Sequence, residues 1–140
     1  MADKLNFDQG LVEEAREVRE RAYAPYSNFK VGAALRTGSG KVFRGANVEN
    51  ISISLTICAE RSAGVAAIAA GELDWEEIAV VAGTTRPTSP CGACRQFLAE
   101  FNPDLKVVVA NQDEVFYTTT VAELLPKAFD AKTYKSQAVD

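Results

Sequence analysis

The stretch "CAERSAGVAAIAAGELDWEEIAVVAG", residues 58–83, decides the fold. From Cys58 to Ala70 it is rich in alanine, with Val65 and Ile68 among small residues, and Gly71 follows as a C-terminal stop. That composition predicts a helix buried on most sides. "EEIAVVAG", residues 76–83, is short and continuously apolar and predicts a strand. Beyond it, "CGACRQFLAEF" (91–101) predicts a second helix, "LKVVVAN" (105–111) another strand and "VAELLPKAF" (121–129) a final short helix. Strands alternating with helices imply right-handed crossovers and a parallel portion of a sheet.

Upstream, residues 8 to 22, beginning "DQGLVEEAREVRER", place Leu11, Val12, Ala15 and Val18 at helical spacing, and Pro25 in "YAPYS" stops that helix. "KVGAALRT" (30–37) and "KVFRGANV" (41–48) are strand-like runs joined by a hairpin-type "GSGK". The expected fold is α/β: a mixed sheet of about five strands between helical layers, a three-layer α/β/α arrangement. No repeat, low-complexity tract or long linker divides the chain, so residues 1–140 are expected to form a single domain.

With 140 residues, the chain buries roughly 68–70% of its unfolded surface and needs no staples. No apolar run reaches the ~18 residues of a membrane span. "MADKLNFDQG" lacks both the basic flank and the apolar stretch of a secretion signal, so a cytoplasmic location is expected. The net charge of -4, without a basic cluster, argues against nucleic acid as a partner. Three cysteines, an odd number in a reducing compartment, favour metal or redox chemistry over a disulfide framework.

Cys58 falls at one predicted helix start and Cys91 and Cys94 in the first turn of another, where unpaired amides and the helix dipole favour thiolate. If the two starts are adjacent, three sulfurs can hold Zn2+ at about 2.3 Å and leave a fourth position open. Each cysteine taken alone also fits a small buried hydrophobe, and CxxC fits a redox pair. A closed structural zinc site would need Glu60 as fourth ligand, because the chain has no histidine and no further cysteine. The combination is more specific: CxE at 58–60 followed by PCxxC at 90–94 matches the zinc deaminase signature, in the variant where Cys replaces His.

Residues 23–129 resemble the small homotetrameric cytidine deaminases through "YAPYSNFKVGAAL", "GANVEN", "CAERSA", "SPCGACRQ" and "ELLPKAF", in the family's order and spacing. The resemblance implies a cytidine deaminase-like fold with one zinc per chain on Cys58, Cys91 and Cys94. The metal would lower the pKa of a bound water from 15.7 towards ~7 for attack on C4 of cytosine. Glu60 would take one proton of the water to ring N3 and later help protonate the departing amine with the other. The implied reaction is hydrolytic deamination of cytidine and deoxycytidine to uridine and deoxyuridine with release of ammonia, as in pyrimidine salvage. The alternative is a deaminase of an N4-modified cytosine nucleoside or a blasticidin-type antibiotic. A non-catalytic zinc module closed by Glu60 is the reading from another class.

Three thiolates leave the zinc site with a net negative charge, which guanidinium donors to the sulfurs would offset. The resemblance implies that role for Arg61, and Arg95 is a second candidate. Asn47 and Glu49 are expected on the same side of a strand, bonded to ribose hydroxyls, with Glu49 repelling phosphates so that free nucleosides are the partners. Phe29 is expected near the nucleoside and Phe129 in a neighbouring subunit's pocket, while the Ala59 N–H and Ser89 carbonyl would hold the cytosine edge. Ile53 stands where many relatives carry tyrosine, so a contact between subunits near the pocket is altered and substrate breadth is expected to change.

Overall fold

The structure, a computed structural model, describes residues 6–137. The chain runs through α1 (Gln9–Arg19), β1 (Val31–Thr37), β2 (Val42–Ala46), a 3-10 turn (Ile53–Leu55), α2 (Ala59–Ala69) and β3 (Trp75–Ala82). It continues through α3 (Gly92–Phe101), β4 (Lys106–Ala110), β5 (Val115–Thr120), α4 (Val121–Leu124) and α5 (Ala131–Gln137). The five strands lie in the order β2-β1-β3-β4-β5. β1 is antiparallel to both neighbours, β3 and β4 are parallel, and β5 returns antiparallel. The mixed sheet is the expected one, and its parallel portion is the β3–α3–β4 crossover.

Alternation along the strands builds the layers. Leu35, Ile78, Val80, Val107 and Val109 point to one face, under α2 and α3, with Trp75 and Leu98. Ala34, Ala79, Val81, Val108 and Ala110 point to the other and receive Leu11, Val12 and Ala15 of α1. Period-two side chains on a sheet covered on both sides give two separate cores, which explains the continuous apolar runs of β3 and β4.

The alanines of α2 serve close approach. Ala59, Ala63 and Ala67 recur at helical spacing and are fully buried. Opposite them, a Cβ on Gly45 of β2 would stand 2.3 Å from the Ala63 amide nitrogen and 2.6 Å from the Ala59 carbonyl oxygen. Backbone atoms cannot swing aside, so Gly45→Ala must push α2 off the sheet. We expect a loss of about 1–3 kcal/mol in urea unfolding; an unchanged midpoint and slope would contradict the packing. The helix ends as foreseen, with Gly71 at φ +81 and paired bonds from Glu72 N–H to the Ala67 carbonyl and Gly71 N–H to the Ile68 carbonyl.

Two expectations are corrected. α1 stops at Arg19, before Pro25, and the chain then bridges Tyr23 to Val48. The last expected helix ends at Leu124 instead of 129, because Pro126 disfavours helical backbone at Leu125 and Lys127 turns at φ +56. Neither β5 nor α5 was located from sequence. β5 follows a turn built by the Asn111 side chain, whose oxygen accepts the N–H groups of Asp113 and Glu114, both at 2.8 Å.

Candidate active site

Two helix starts meet at the three cysteines. Cys58 is the N-cap of α2 and Cys91 the N-cap of α3, both in extended backbone and neither spending its side chain on a capping bond. Cys94 lies one turn into α3 and is fully buried. The three sulfurs fall within 4.8 Å of one another, Cys58 and Cys91 at 3.9 Å. Unpaired first-turn amides and two helix dipoles therefore converge on one sulfur cluster. Cys91 is exposed and Cys58 half-buried, so the cluster opens outward on their side.

The protonation pattern follows from contact. The Cys58 thiol is brought down to about 5, chiefly by the hydrogen bond from Cys94, with Arg61 and Cys91 adding to it. Cys94 is pushed up because it holds the proton it gives to Cys58 and because it is buried. Arg61 Nη2 reaches Cys58 Sγ at 3.7 Å and the Thr56 carbonyl at 3.4 Å. Its buried Nε has no hydrogen-bond partner among the described residues.

Glu60, two residues after Cys58 and in the first turn of α2, is 5% exposed. Burial pushes its carboxyl up to about 7, and the neighbouring Cys58 charge adds to the rise. A carboxyl poised there can both accept and release a proton near neutrality.

The other candidates are placed differently from one another. β2 ends at Ala46, and beyond it Asn47 and Glu49 flank Val48, which bridges Tyr23 and Ile57 in extended pairing. Asn47 is turned inward, its oxygen accepting the Val31 N–H at 2.9 Å and its Nδ2 donating to the Phe29 carbonyl at 2.7 Å. Glu49 faces outward, accepting the Tyr26 and Ser27 N–H groups and the Ser27 hydroxyl. The Ser27 hydroxyl, followed by the Tyr26 and Ser27 amides, holds its carboxyl below the usual range.

Glu49, Tyr26, Ser27, Asn50, Thr56 and Ile53 line a cavity of about 320 Å³. Ser27 and Tyr26 went unnoticed in the sequence, where "YAPYS" reads as a helix stop. Ile53, in the 3-10 turn, is 72% exposed. Phe29 is partly exposed, and its N–H donates to Ser27 Oγ at 3.0 Å. Phe129 is exposed, meets Tyr134 edge to face at 5.9 Å, and receives Gln96 Nε2 on its carbonyl at 2.8 Å.

Arg95 does not take the place expected of it. Its guanidinium donates to the Pro90 carbonyl, the Leu124 carbonyl and Ser89 Oγ, and no bond to a sulfur is formed. Oxygen acceptors satisfy the fork instead.

Residues 5–111 match the family model described as the cytidine and deoxycytidylate deaminase zinc-binding region. A cytidine deaminase of Halalkalibacterium halodurans is 54% identical over 89% of this chain and 95% of its own length. The chain belongs to the cytidine deaminase family. A crystal structure of cytidine deaminase from Burkholderia pseudomallei superposes with a TM-score of 0.84 at 53% identity, covering 88% of this chain and 99% of that one. A blasticidin-S deaminase of Bacillus cereus is more distant, 32% identical over 85% of this chain and 89% of its own length.

The cysteine cluster fits the zinc of this deaminase family. Sulfurs 2.3 Å from a tetrahedral centre stand about 3.8 Å apart, and the Cys58 to Cys91 separation is 3.9 Å. All three donors are thiols, soft ligands suited to zinc, and no disulfide consumes them. Glu60 is close in sequence yet buried beside the cluster on the same helix start, which leaves room for the hydrolytic arrangement of three protein ligands and an open position.

Proposed function

We propose that this deaminase hydrolyses cytidine and deoxycytidine to uridine and deoxyuridine with release of ammonia. The observation that carries the proposal is the buried Glu60 placed two residues from a three-sulfur cluster at two helix starts. Cys58, Cys91 and Cys94 would hold zinc, which when bound supplies Lewis-acid activation of water at neutral pH. Glu60 takes one proton from water and delivers it to ring N3 as the hydroxyl adds to C4, then passes the remaining hydroxyl proton to the amine, so that the C4–N bond breaks, ammonia leaves and the C4 carbonyl forms; burial keeps these protons from leaking to solvent. Arg61 draws charge from the Cys58 sulfur. The Ala59 N–H and the Ser89 carbonyl orient the cytosine edge, and Phe29 packs near the nucleoside.

Asn47 and Glu49 are proposed to meet the ribose, directly for the outward-facing Glu49. Asn47 already bonds residues 29 and 31, so it also fixes the segment that carries Phe29. The Glu49 carboxylate repels phosphate, which favours free nucleosides over nucleotides and nucleic acid. The chain is proposed to act as one cytoplasmic domain, and no helix among the described residues is long and apolar enough to cross a membrane.

A homotetramer is supported by exposed Tyr23, Tyr26, Val48, Ile51, Ile53 and Leu55. The bridges of Val48 bring Tyr23 and Ile57 beside it, and exposed apolar residues gathered in this way mark interaction surfaces. Phe129, exposed, would reach a neighbouring subunit's pocket.

The test follows ammonia release and the loss of cytidine absorbance, with zinc measured on the same sample. Turnover with about one zinc per chain is expected. Zinc without turnover would favour a non-catalytic module, and faster turnover of a blasticidin-type or N4-modified nucleoside would replace the substrate.

Ile53 bears on breadth because it lines the Glu49 cavity. Ile53→Tyr adds a ring and a hydroxyl there, so relative kcat/KM for a base- or sugar-substituted nucleoside should fall against cytidine. A methylene-sized difference in an apolar site is worth ~1–3 kcal/mol, about ten-fold or more in that ratio. An unchanged ratio with altered assembly or melting would assign Ile53 to the subunit interface alone.

A further inference from the structure

Arg95 occupies the first turn of α3, next to the buried Cys94, and its side chain folds back across the helix start. Nε donates to the Pro90 carbonyl at 2.7 Å and Nη2 to Ser89 Oγ at 2.9 Å, both on the loop that enters Cys91. At the other end of the fork, Nη1 donates to the Leu124 carbonyl at 2.7 Å, 29 residues along the chain. That carbonyl closes the four-residue α4 and has no helical partner beyond it. Gln96, the next residue of α3, holds the Phe129 carbonyl at 2.8 Å. The segment 124–129, with its left-handed turn at Lys127, is thus pinned at both ends by adjacent α3 side chains.

We propose that Arg95 is a positioning residue for deamination: its planar fork locks the Ser89–Cys91 loop to the 124–129 segment, so that the loop backbone presents one fixed face to the nucleobase. The inference rests on the deaminase reading above, in which the Ser89 carbonyl orients the cytosine edge. Charge is not the operative property, since the bonds go to oxygens and none to a sulfur. The fork geometry is. A guanidinium offers donors in several fixed directions in one plane, whereas a lysine ammonium is a point charge on a flexible stem and cannot span acceptors on two sides.

Arg95→Lys separates the two properties, keeping the charge and losing the fork. With wild-type turnover of cytidine read in the same assay, the variant is expected to retain its zinc while kcat/KM falls ~10–100-fold, the usual loss when a group that orients a metal site's surroundings is removed. KM should rise with that fall, because the base edge is no longer held in one register. A merely destabilising substitution reduces the active fraction and lowers apparent kcat at constant KM, so the KM change is the discriminating readout.

Ser89→Ala, which deletes one acceptor and leaves the backbone intact, serves if the lysine variant does not fold; a smaller rise in KM is expected from it. An unchanged KM in the folded variant, or loss of zinc from Arg95→Lys, overturns the proposal. Absence of cytidine turnover in the wild type would instead remove the deaminase reading, and this inference with it.

Discussion

Glu60→Gln lowers cytidine turnover by at least the ~10²–10⁴-fold typical of lost acid-base catalysis, while the zinc stays bound. The amide has the shape of the carboxyl and fits the same buried site at the second residue after Cys58, so packing and cluster geometry survive. What it lacks is a proton that can be taken up and released. Activity and metal content measured on one preparation decide between roles. Near-normal turnover would exclude Glu60 as the proton carrier, and loss of zinc would make it a metal ligand, as in a closed structural site.

Cys91→Ala is expected to lose the zinc and, with it, essentially all deamination. Cys91 is exposed and makes no capping bond, so alanine there removes a sulfur without opening a cavity or costing the helix a cap. The remaining Cys58 and Cys94 offer two donors, and two thiolates do not hold the metal against solvent. Far-UV circular dichroism of an unchanged fold beside an empty metal assay would isolate the effect. Full activity in the metal-free variant would remove the metal from the reaction.

The helix-start positions of the three cysteines were legible in the sequence because the spacing encodes local geometry. CxE and PCxxC each place a sulfur at a helix start, and helix starts follow from nearby residues: the alanine run to Gly71 in one case, "CGACRQFLAEF" in the other. For Arg61 the family resemblance implied the role, and Arg61 lies one turn from Cys58 and bonds it. Arg95 was not legible. Two of its acceptors are the carbonyls of Pro90 and Leu124, and a backbone oxygen is the same in every residue, so nothing in the letters marks it as a partner.

Asn47 and Glu49 show a different limit. A period of two puts both on the side opposite Val48, whose bridges to Tyr23 and Ile57 carry extended pairing past Ala46, but it does not name the partners they find. Asn47 then turns to the backbone of 29–31 and Glu49 to the 26–27 turn. Likewise β5 is short, half-exposed and preceded by an Asn111 turn, and pairing with β4 establishes it.

By itself, the sequence determined the elements whose cause is local: the amphipathic α1, the small-residue α2, the buried β3 and β4, and the helix-start positions of three sulfurs and Glu60. Tertiary structure alone decided which helix starts meet, that β1 lies between β2 and β3, and where Arg95 and Asn47 spend their hydrogen bonds. The division has a physical reason. Helix and strand preferences and capping act within a few residues. Convergence of residues 58 and 91 at 3.9 Å is a property of two helices docked on one sheet face, through contacts such as Gly45 against Ala63 that no short stretch contains.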